Sequence, residues 1–502
     1  MLKVLFLFPN SSNEGVVSNA ITILAPIAKR LGCEVEYFET SFYHKKPTAA
    51  EDRTFSGEFK PVKDQIPKKE MKPYESMFKE FNYKIKEFEP DILAVSANSL
   101  EYDLFLQLIQ NVEFDNKPFT FVGGVHATFS PQQVIENKYV DAICIGEGEE
   151  AFEEFIEKYK ENCAVTDIKN IWVKENGKIF KNPIRDLISE DRLWEYETDY
   201  EFYNSEDYFL KPFEGKMYKK AIIELSRGCP YNCNYCVNTA LKNLYKDKGK
   251  FVRFKEIDKL KQDILNKKEQ GFNLIQFLDE NFLNISEEKL EDFCGWYKEH
   301  INLPIIIQAR PESVCESKIR LLSSMGVHIE MSCGVETGSK RILNEICNRF
   351  TTHEQTINAF KLMHRYKIYS RAYVMIGFPT ETREEVFETI NLVRKINPYL
   401  SIMSIFFPFV GVPLREYCIK NGFITGNEMA RTFTEQSILR NQKMTPMEIS
   451  NFRRVYSLYV NLPRKYFAEI EECEKNFDEI KFKKLVDLSW KLRSNWPNYE
   501  LD

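Results

Sequence analysis

Short apolar runs recur along this chain, each followed by a stretch whose apolar residues have helical spacing, and that alternation constrains the fold more than any other feature. The first part reads "KVLFLF" (3–8), the helix-like "NAITILAPIAKRLG" (19–32), "CEVEYFET" (33–40), "PDILAVSAN" (90–98) and the helix-like "YDLFLQLIQNVE" (102–113). "FTFVGGVHAT" (119–128) and "VDAICIGEGEEAFEEFIEKY" (140–159) then each run strand, loop, helix. Strands alternating with helices at this spacing predict an α/β fold with a doubly wound parallel sheet. Residues 43–80, polar and Pro-bearing, read as an insertion. Ligands of such sheets bind at the carboxyl ends of the strands. Those ends carry Asn10, then Ser96 and Asn98, then Gly123, Gly124, His126 and Thr128, and last Gly146, Glu147, Gly148 and Glu149.

After a connector rich in Glu, Asp and Tyr, with a short hairpin expected at "IWVKENGKIFKN", the alternation resumes. Strands are predicted at 220–226, 274–279, 304–310, 328–333, 371–378 and 400–407, which makes a partial six-unit (β/α)6 barrel where a full barrel has eight units. The tail lacks strand alternation and reads as helical. The predicted organisation is a first α/β domain over 1–155, a connector over 156–216, the partial barrel over 217–420 and a helical C-terminal region over 421–502.

Charge narrows the partners. The chain's 69 basic and 75 acidic residues are interspersed, for a net charge of −6, and no basic tract gives electrostatic support for nucleic acid. No apolar stretch approaches the roughly 20 residues of a membrane span. The opening run is too short for a signal peptide and reads as a buried strand, so a cytoplasmic protein is expected.

Nine of the 12 cysteines lie singly in apolar or helical contexts and read as small buried hydrophobes. The other three are clustered in "SRGCPYNCNYC", with the spacing Cys229-x3-Cys233-x2-Cys236. Structural zinc closes with four Cys or His ligands. Residues 217–228 and 237–293 supply no Cys and no His, so zinc would need a remote fourth ligand. Thiolates suit iron–sulfur clusters equally well. Three cysteines on a four-iron cluster leave one iron open for a substrate or cofactor.

This loop, on the first strand of a six-unit barrel and with Tyr235 just before the last cysteine, resembles that of the radical S-adenosylmethionine (SAM) enzymes. The resemblance implies a [4Fe–4S] cluster on Cys229, Cys233 and Cys236, with SAM chelated by the open iron and cleaved reductively to a 5′-deoxyadenosyl radical. It implies a SAM site made of Tyr235, then Asp279, Glu280 and Asn281 of "LDENF", Gln308 and Arg310, Glu336 of "SCGVETGS", Arg371 facing the carboxylate, and Gly377 near the adenine. The first domain, with "GGVHAT" and "GEGE" as its distinctive parts, is similar to the cobalamin-binding domain that precedes the barrel in one radical SAM subclass. On that resemblance the strand-end residues named above line a cobalamin site. The chain lacks the Asp-x-His-x-x-Gly motif whose histidine ligates cobalt in many cobalamin proteins.

With both cofactors, the resemblance implies methylation at an unactivated carbon of a small-molecule substrate (a lipid, sugar, porphyrinoid or peptide), with an external electron donor such as flavodoxin or ferredoxin. The alternative keeps the radical without methyl transfer and gives cyclisation, C–C coupling or oxidative rearrangement. A tRNA methylthiotransferase fits poorly, because Cys33, Cys144 and Cys163 do not lie at suitable loops and the tail reads as helical. A non-catalytic iron–sulfur or cobalamin carrier is the non-enzymatic reading. Phe452, Tyr456, Tyr459, Trp490 and Trp496 of the tail either line an apolar substrate site or pack between helices.

Overall fold

The computed structural model describes residues 1–10, 17–44, 49–61, 71–196, 198–201, 203, 205–428, 434 and 436–498. Its first sheet contains β1 (Lys3–Phe8), β2 (Glu34–Glu39), β3 (Ile92–Ser96), β4 (Phe119–Gly123) and β5 (Ala142–Cys144). These five are parallel, in the order 2-1-3-4-5. The expected hairpin, β6 (Ile171–Glu175) and β7 (Lys178–Lys181), adds antiparallel at the edge beside β5. The strands read as continuous apolar runs because both faces are covered. Val4, Phe6, Ala94 and Phe121 pack under helices Asn19–Arg30 and Glu149–Lys160, while Leu5, Leu7, Leu93 and Val95 pack under Ser76–Phe88 and Ser99–Gln110. The chain reverses direction across the sheet between β1 and β3, the position where a crevice opens at the carboxyl ends.

The second sheet begins with β8 (Leu210–Phe213), antiparallel to β9 (Lys216–Ile223). From β9 onward it is parallel and in chain order through β10 (Leu274–Phe277), β11 (Ile305–Ala309), β12 (Ile329–Glu336), β13 (Tyr369–Ile376) and β14 (Leu400–Ile405). This is the expected half-barrel, with strand boundaries displaced by a few residues. The tail is helical over Pro446–Asn461, Phe467–Lys475 and Glu479–Arg493. Phe452, Tyr456 and Tyr459 are buried in the core shared with the barrel, so the packing alternative holds for these three. Among the described residues no helix is long and apolar enough to cross a membrane.

A half-barrel leaves the edge of β14 unpaired, and an open edge needs a cover. The 49–61 part of the expected insertion supplies it. Glu58, fully buried, accepts from the β14 amide of Met403 (2.7 Å) and from Arg453 Nη2 (3.0 Å). Helix Ser76–Phe88, which the insertion reading overlaps, is part of the first domain's core.

Candidate functional site

Strand β9 leads into a loop whose backbone is tightly constrained. Ser226–Arg227 pairs antiparallel with Arg253–Phe254. Gly228 has φ +88°, and a Cβ there would strike the carbonyl of Phe251, so only glycine fits. Cys229 and Cys233 are buried and Cys236 is half-buried, capping helix Val237–Leu244. Among the described residues no three Cys, His, Asp or Glu side chains converge on one ion position. Burial pushes the Cys229 thiol up and the Cys236 thiol up to about 11. Arg310 Nη1 donates to Cys233 Sγ (3.1 Å), and its guanidinium lies 3.7 Å from the centroid of Tyr231. Three soft donors, shielded from water and flanked by a fixed cation, fit a metal–sulfur cluster.

Next to the thiols is a cavity of about 240 Å³ lined by Tyr235, Glu280, Gln308, Arg310, Glu336 and Tyr373, among others. Glu336 has φ +65° and sits at a register shift that ends β12. Strain at a non-glycine residue persists where its surroundings hold it. Here Arg349 does so, with Nη1 donating to Glu336 Oε1 (3.0 Å) and to the Tyr235 hydroxyl (3.1 Å). The thiol loop and the end of β12 are thereby joined through one buried guanidinium.

Four residues expected in this cavity lie outside its lining. Asp279 turns back onto β9, accepting from Leu225 N (3.2 Å) and from the Ser226 hydroxyl, and burial pushes its carboxyl up to about 7. Asn281 Oδ1 accepts from Arg310 N (3.3 Å) and Ser313 Oγ (2.9 Å) and so braces the neighbouring loop. Gly377 donates to Glu381 Oε2 (2.6 Å), and a Cβ there would meet Ile449 of the tail. Arg371 is near the start of β13, two residues below Tyr373. It is paired with buried Glu330 (2.8 Å) and covered by Phe59.

A second cavity, of about 330 Å³, lies where the carboxyl edge of the first sheet faces the barrel. Ser96, Gly123, Gly124, Thr128, Gly146, Glu147, Gly148 and Glu149 line it, as the strand-end argument expects. Gly124 has φ +99°, and a Cβ there would come within 2.5 Å of Ala97 O. The glycines keep this edge free of side chains, which suits a broad, flat ligand. The barrel contributes Arg227, Leu241, Tyr245, Phe251 and Arg253. Glu147 and Glu149 are held in ion pairs: Glu147 by Arg253 (2.5 Å) and Glu149 by Arg227 (2.6 Å).

Asn10, Asn98 and His126 do not line this cavity. Asn10 donates to Ser41 Oγ (2.7 Å), and Asn98 caps helix Ser99–Gln110 with a capping box. His126 is fully buried, 3.1 Å from Ser99 Oγ and in tilted contact with the Tyr102 ring, and burial pushes its imidazole down to about 4. Among the described residues no histidine lines the cavity. Asn238 and Glu280 line both cavities and form their common wall.

The profile of the radical SAM superfamily matches residues 223–393, and that of the B12 binding domain matches residues 71–156. This chain is a cobalamin-dependent radical SAM enzyme. Its cofactors are a [4Fe–4S] cluster, SAM and cobalamin. The radical SAM chain is 27% identical over 398 residues to an uncharacterised methyltransferase of Pyrococcus horikoshii, across 77% of its own length and 82% of the relative's. It is 26% identical over 349 residues to the anaerobic magnesium-protoporphyrin IX monomethyl ester cyclase of Cereibacter sphaeroides, covering 66% of this chain and 53% of that one. In fold it is similar to the radical SAM methyltransferase TsrM of Kitasatospora setae, with TM-score 0.63 and 16% identity over 84% of this chain and 75% of that one.

Sequence reasoning missed Arg349, Tyr373, Asn238, Arg227 and Tyr245 as residues of these sites. Arg227 alone carried a signal, since it sits two residues before Cys229. The others are brought in by tertiary packing and belong to no short motif.

Proposed function

We propose that this enzyme methylates an unactivated carbon of a small-molecule substrate. The observation that carries the reading is the common wall: the barrel cavity and the first-domain cavity meet at Asn238 and Glu280. A substrate carbon placed there lies within reach of both. When bound, the cluster with SAM supplies a carbon-centred radical and cobalamin supplies a methyl group; the protein's part is placement and exclusion of water.

On this reading Cys229, Cys233 and Cys236 hold the cluster, and Arg310 orients Cys233 through its hydrogen bond. Tyr235, Glu280, Gln308 and Glu336 surround SAM, with Arg349 fixing two of them. Ser96, Thr128 and the glycines of "GGVHAT" and "GEGE" would receive cobalamin in a lining that, among the described residues, contains no histidine. Glu280, exposed to both cavities, offers a carboxyl group that can hydrogen-bond a polar group of the substrate. An external electron donor supplies the reducing equivalent, and lipid, sugar, porphyrinoid and peptide substrates are all compatible with the reading.

The similarity to a cyclase favours one second reading, radical ring formation without methyl transfer. The two separate by product. Enzyme prepared anaerobically with iron, sulfide and cobalamin is given SAM and a reductant with candidate substrates. A methylase releases both 5′-deoxyadenosine and S-adenosylhomocysteine. Formation of 5′-deoxyadenosine alone, with substrate consumed, would replace methylation by the second reading.

A further inference from the structure

The lumen of the half-barrel holds more hydrogen-bonding capacity than the protein itself uses. Gln308, Ser332 and Arg371 are register partners on β11, β12 and β13, so they stand side by side on one face of the sheet. Ser332 is 2% exposed and lines the barrel cavity, yet its Oγ has no hydrogen-bond partner among the described residues. Arg371 Nε in the same layer, and Glu330 Oε1 one layer below, are likewise buried without partners among those residues. Buried polar atoms of folded proteins are nearly always paired, and each one left over needs a reason. Three left over around one lumen, beside a cavity, point to a partner that arrives as a ligand.

Tyr373 stands two residues nearer the mouth than Arg371 and lines the same cavity. Arg371 Nη1 donates to its hydroxyl oxygen (3.5 Å), which turns the phenol proton away from the guanidinium and leaves it to donate elsewhere. The Ser332 hydroxyl, on a single torsion, can turn to donate or to accept. The charges beneath these two hydroxyls cancel, because Arg371 Nη2 is paired with Glu330 Oε2 (2.8 Å). An ionic group would therefore find no net counter-charge in this layer, and an apolar one would leave the hydroxyls without partners.

We propose that Ser332 and Tyr373 bind the head group of the substrate, and that this group is uncharged and carries both a hydrogen-bond donor and an acceptor. Neighbouring hydroxyls, as on a sugar, and an amide, as on a peptide, share that chemistry. Arg371 is a positioning residue, acting through the Tyr373 hydroxyl. The inference rests on the barrel cavity receiving the substrate beside SAM, and it sets aside substrates that enter with an acyl chain or a carboxylate.

The test uses the full-length reconstituted enzyme at saturating SAM, without reductant, and small fragments of one size. Propionamide and propylene glycol are neutral; propionate and propylammonium are their charged counterparts. Saturation-transfer NMR titrations measure fragment affinity in the wild type, Ser332→Ala and Tyr373→Phe, and equilibrium dialysis measures SAM affinity in the same proteins. The neutral fragments are expected to bind, each variant to weaken them about tenfold, and SAM affinity to stay at its wild-type value. The tighter neutral fragment tells amide from hydroxyl. Ser332→Ala removes a buried hydroxyl that has no partner, so its denaturation midpoint should not fall below the wild type's, and it decides alone if Tyr373→Phe does not fold. A charged fragment that binds as tightly, wild-type fragment affinity in both variants, or no binding of either neutral fragment would overturn the proposal. So would a loss of SAM affinity in the variants, which would give these hydroxyls to SAM. Fragment binding involves no methyl transfer, so products that replace methylation by ring formation would leave this result in force.

Discussion

Arg227 Nη1 lies 2.6 Å from Glu149 Oε1, so the loop that carries the cysteines and the loop that ends the first sheet are joined by a buried ion pair. Arg227 also holds Glu224 (2.8 Å), and Arg253 holds Glu147 beside it. Removing one partner of such a pair strands the other charge away from water, at about 3–5 kcal/mol. Arg227→Ala is therefore expected to destabilise the protein by about 3 kcal/mol, and Glu149→Gln by less, because the amide still accepts a hydrogen bond. Urea denaturation midpoints check the order.

Each of Cys229→Ala, Cys233→Ala and Cys236→Ala should leave the fold intact and lower bound iron and sulfide sharply. Arg310→Gln should retain iron while shifting the cluster's reduction potential downward, because a cation hydrogen-bonded to a thiolate favours the more negative, reduced state. Iron analysis and a redox titration followed by electron paramagnetic resonance distinguish these outcomes.

Arg349→Lys preserves the charge and loses the guanidinium whose Nη1 donates to both Glu336 and Tyr235 while Nη2 donates to Gly334 O. The expected result is SAM binding weaker by about tenfold with unchanged iron content, since lysine lacks the planar set of donors that serves Glu336, Tyr235, Gly334 and Thr351 together. Equilibrium dialysis with SAM measures it, and wild-type affinity in the variant would exclude this role for Arg349.

At Gly124, alanine must adopt φ +99° and place its Cβ against Ala97 O. Gly124→Ala should cost about 1–3 kcal/mol and reduce cobalamin uptake, read from the visible spectrum after desalting. Gly271→Ala, where a Cβ meets open space, serves as a control for left-handed strain alone.

Burial pushes the Glu381 carboxyl up from its ordinary 4.5 to about 8, even though it accepts from Gly377 N and Phe378 N. Between those two values the folded protein holds a proton that the unfolded chain has released, so this group makes stability fall as pH rises from about 4.5 to 8. Its share of the slope is up to about 1.4 kcal/mol per pH unit. Glu381→Gln, which cannot titrate, should flatten that part of the profile when denaturation midpoints are followed from pH 5 to 8.

The repeating features of the fold were legible in the sequence. "KVLFLF" and "PDILAVSAN" are apolar throughout because helices cover both faces of their sheet, and the glycines of "GGVHAT" and "GEGE" fall where strands end. What periodicity does not carry is the direction in which a loop side chain points. His126 follows Gly124 into a short helix whose turn sends the imidazole toward Tyr102 and away from the cavity. Arg371 belongs to the right strand at the wrong depth, near its amino end rather than at its mouth. Arg349, at no strand end and in no motif, is placed by backbone contacts between 346–351 and the cysteine loop.

Glu58 has a consequence for how the chain is made. Its partners, Met403 and Arg453, lie 345 and 395 residues further on. At about 5–20 residues per second, a ribosome needs roughly 20 to 80 s to deliver Arg453 after Glu58. Throughout that interval the carboxylate must stay hydrated and its segment undocked, so the half-barrel cannot seal its open edge until Arg453 has been made.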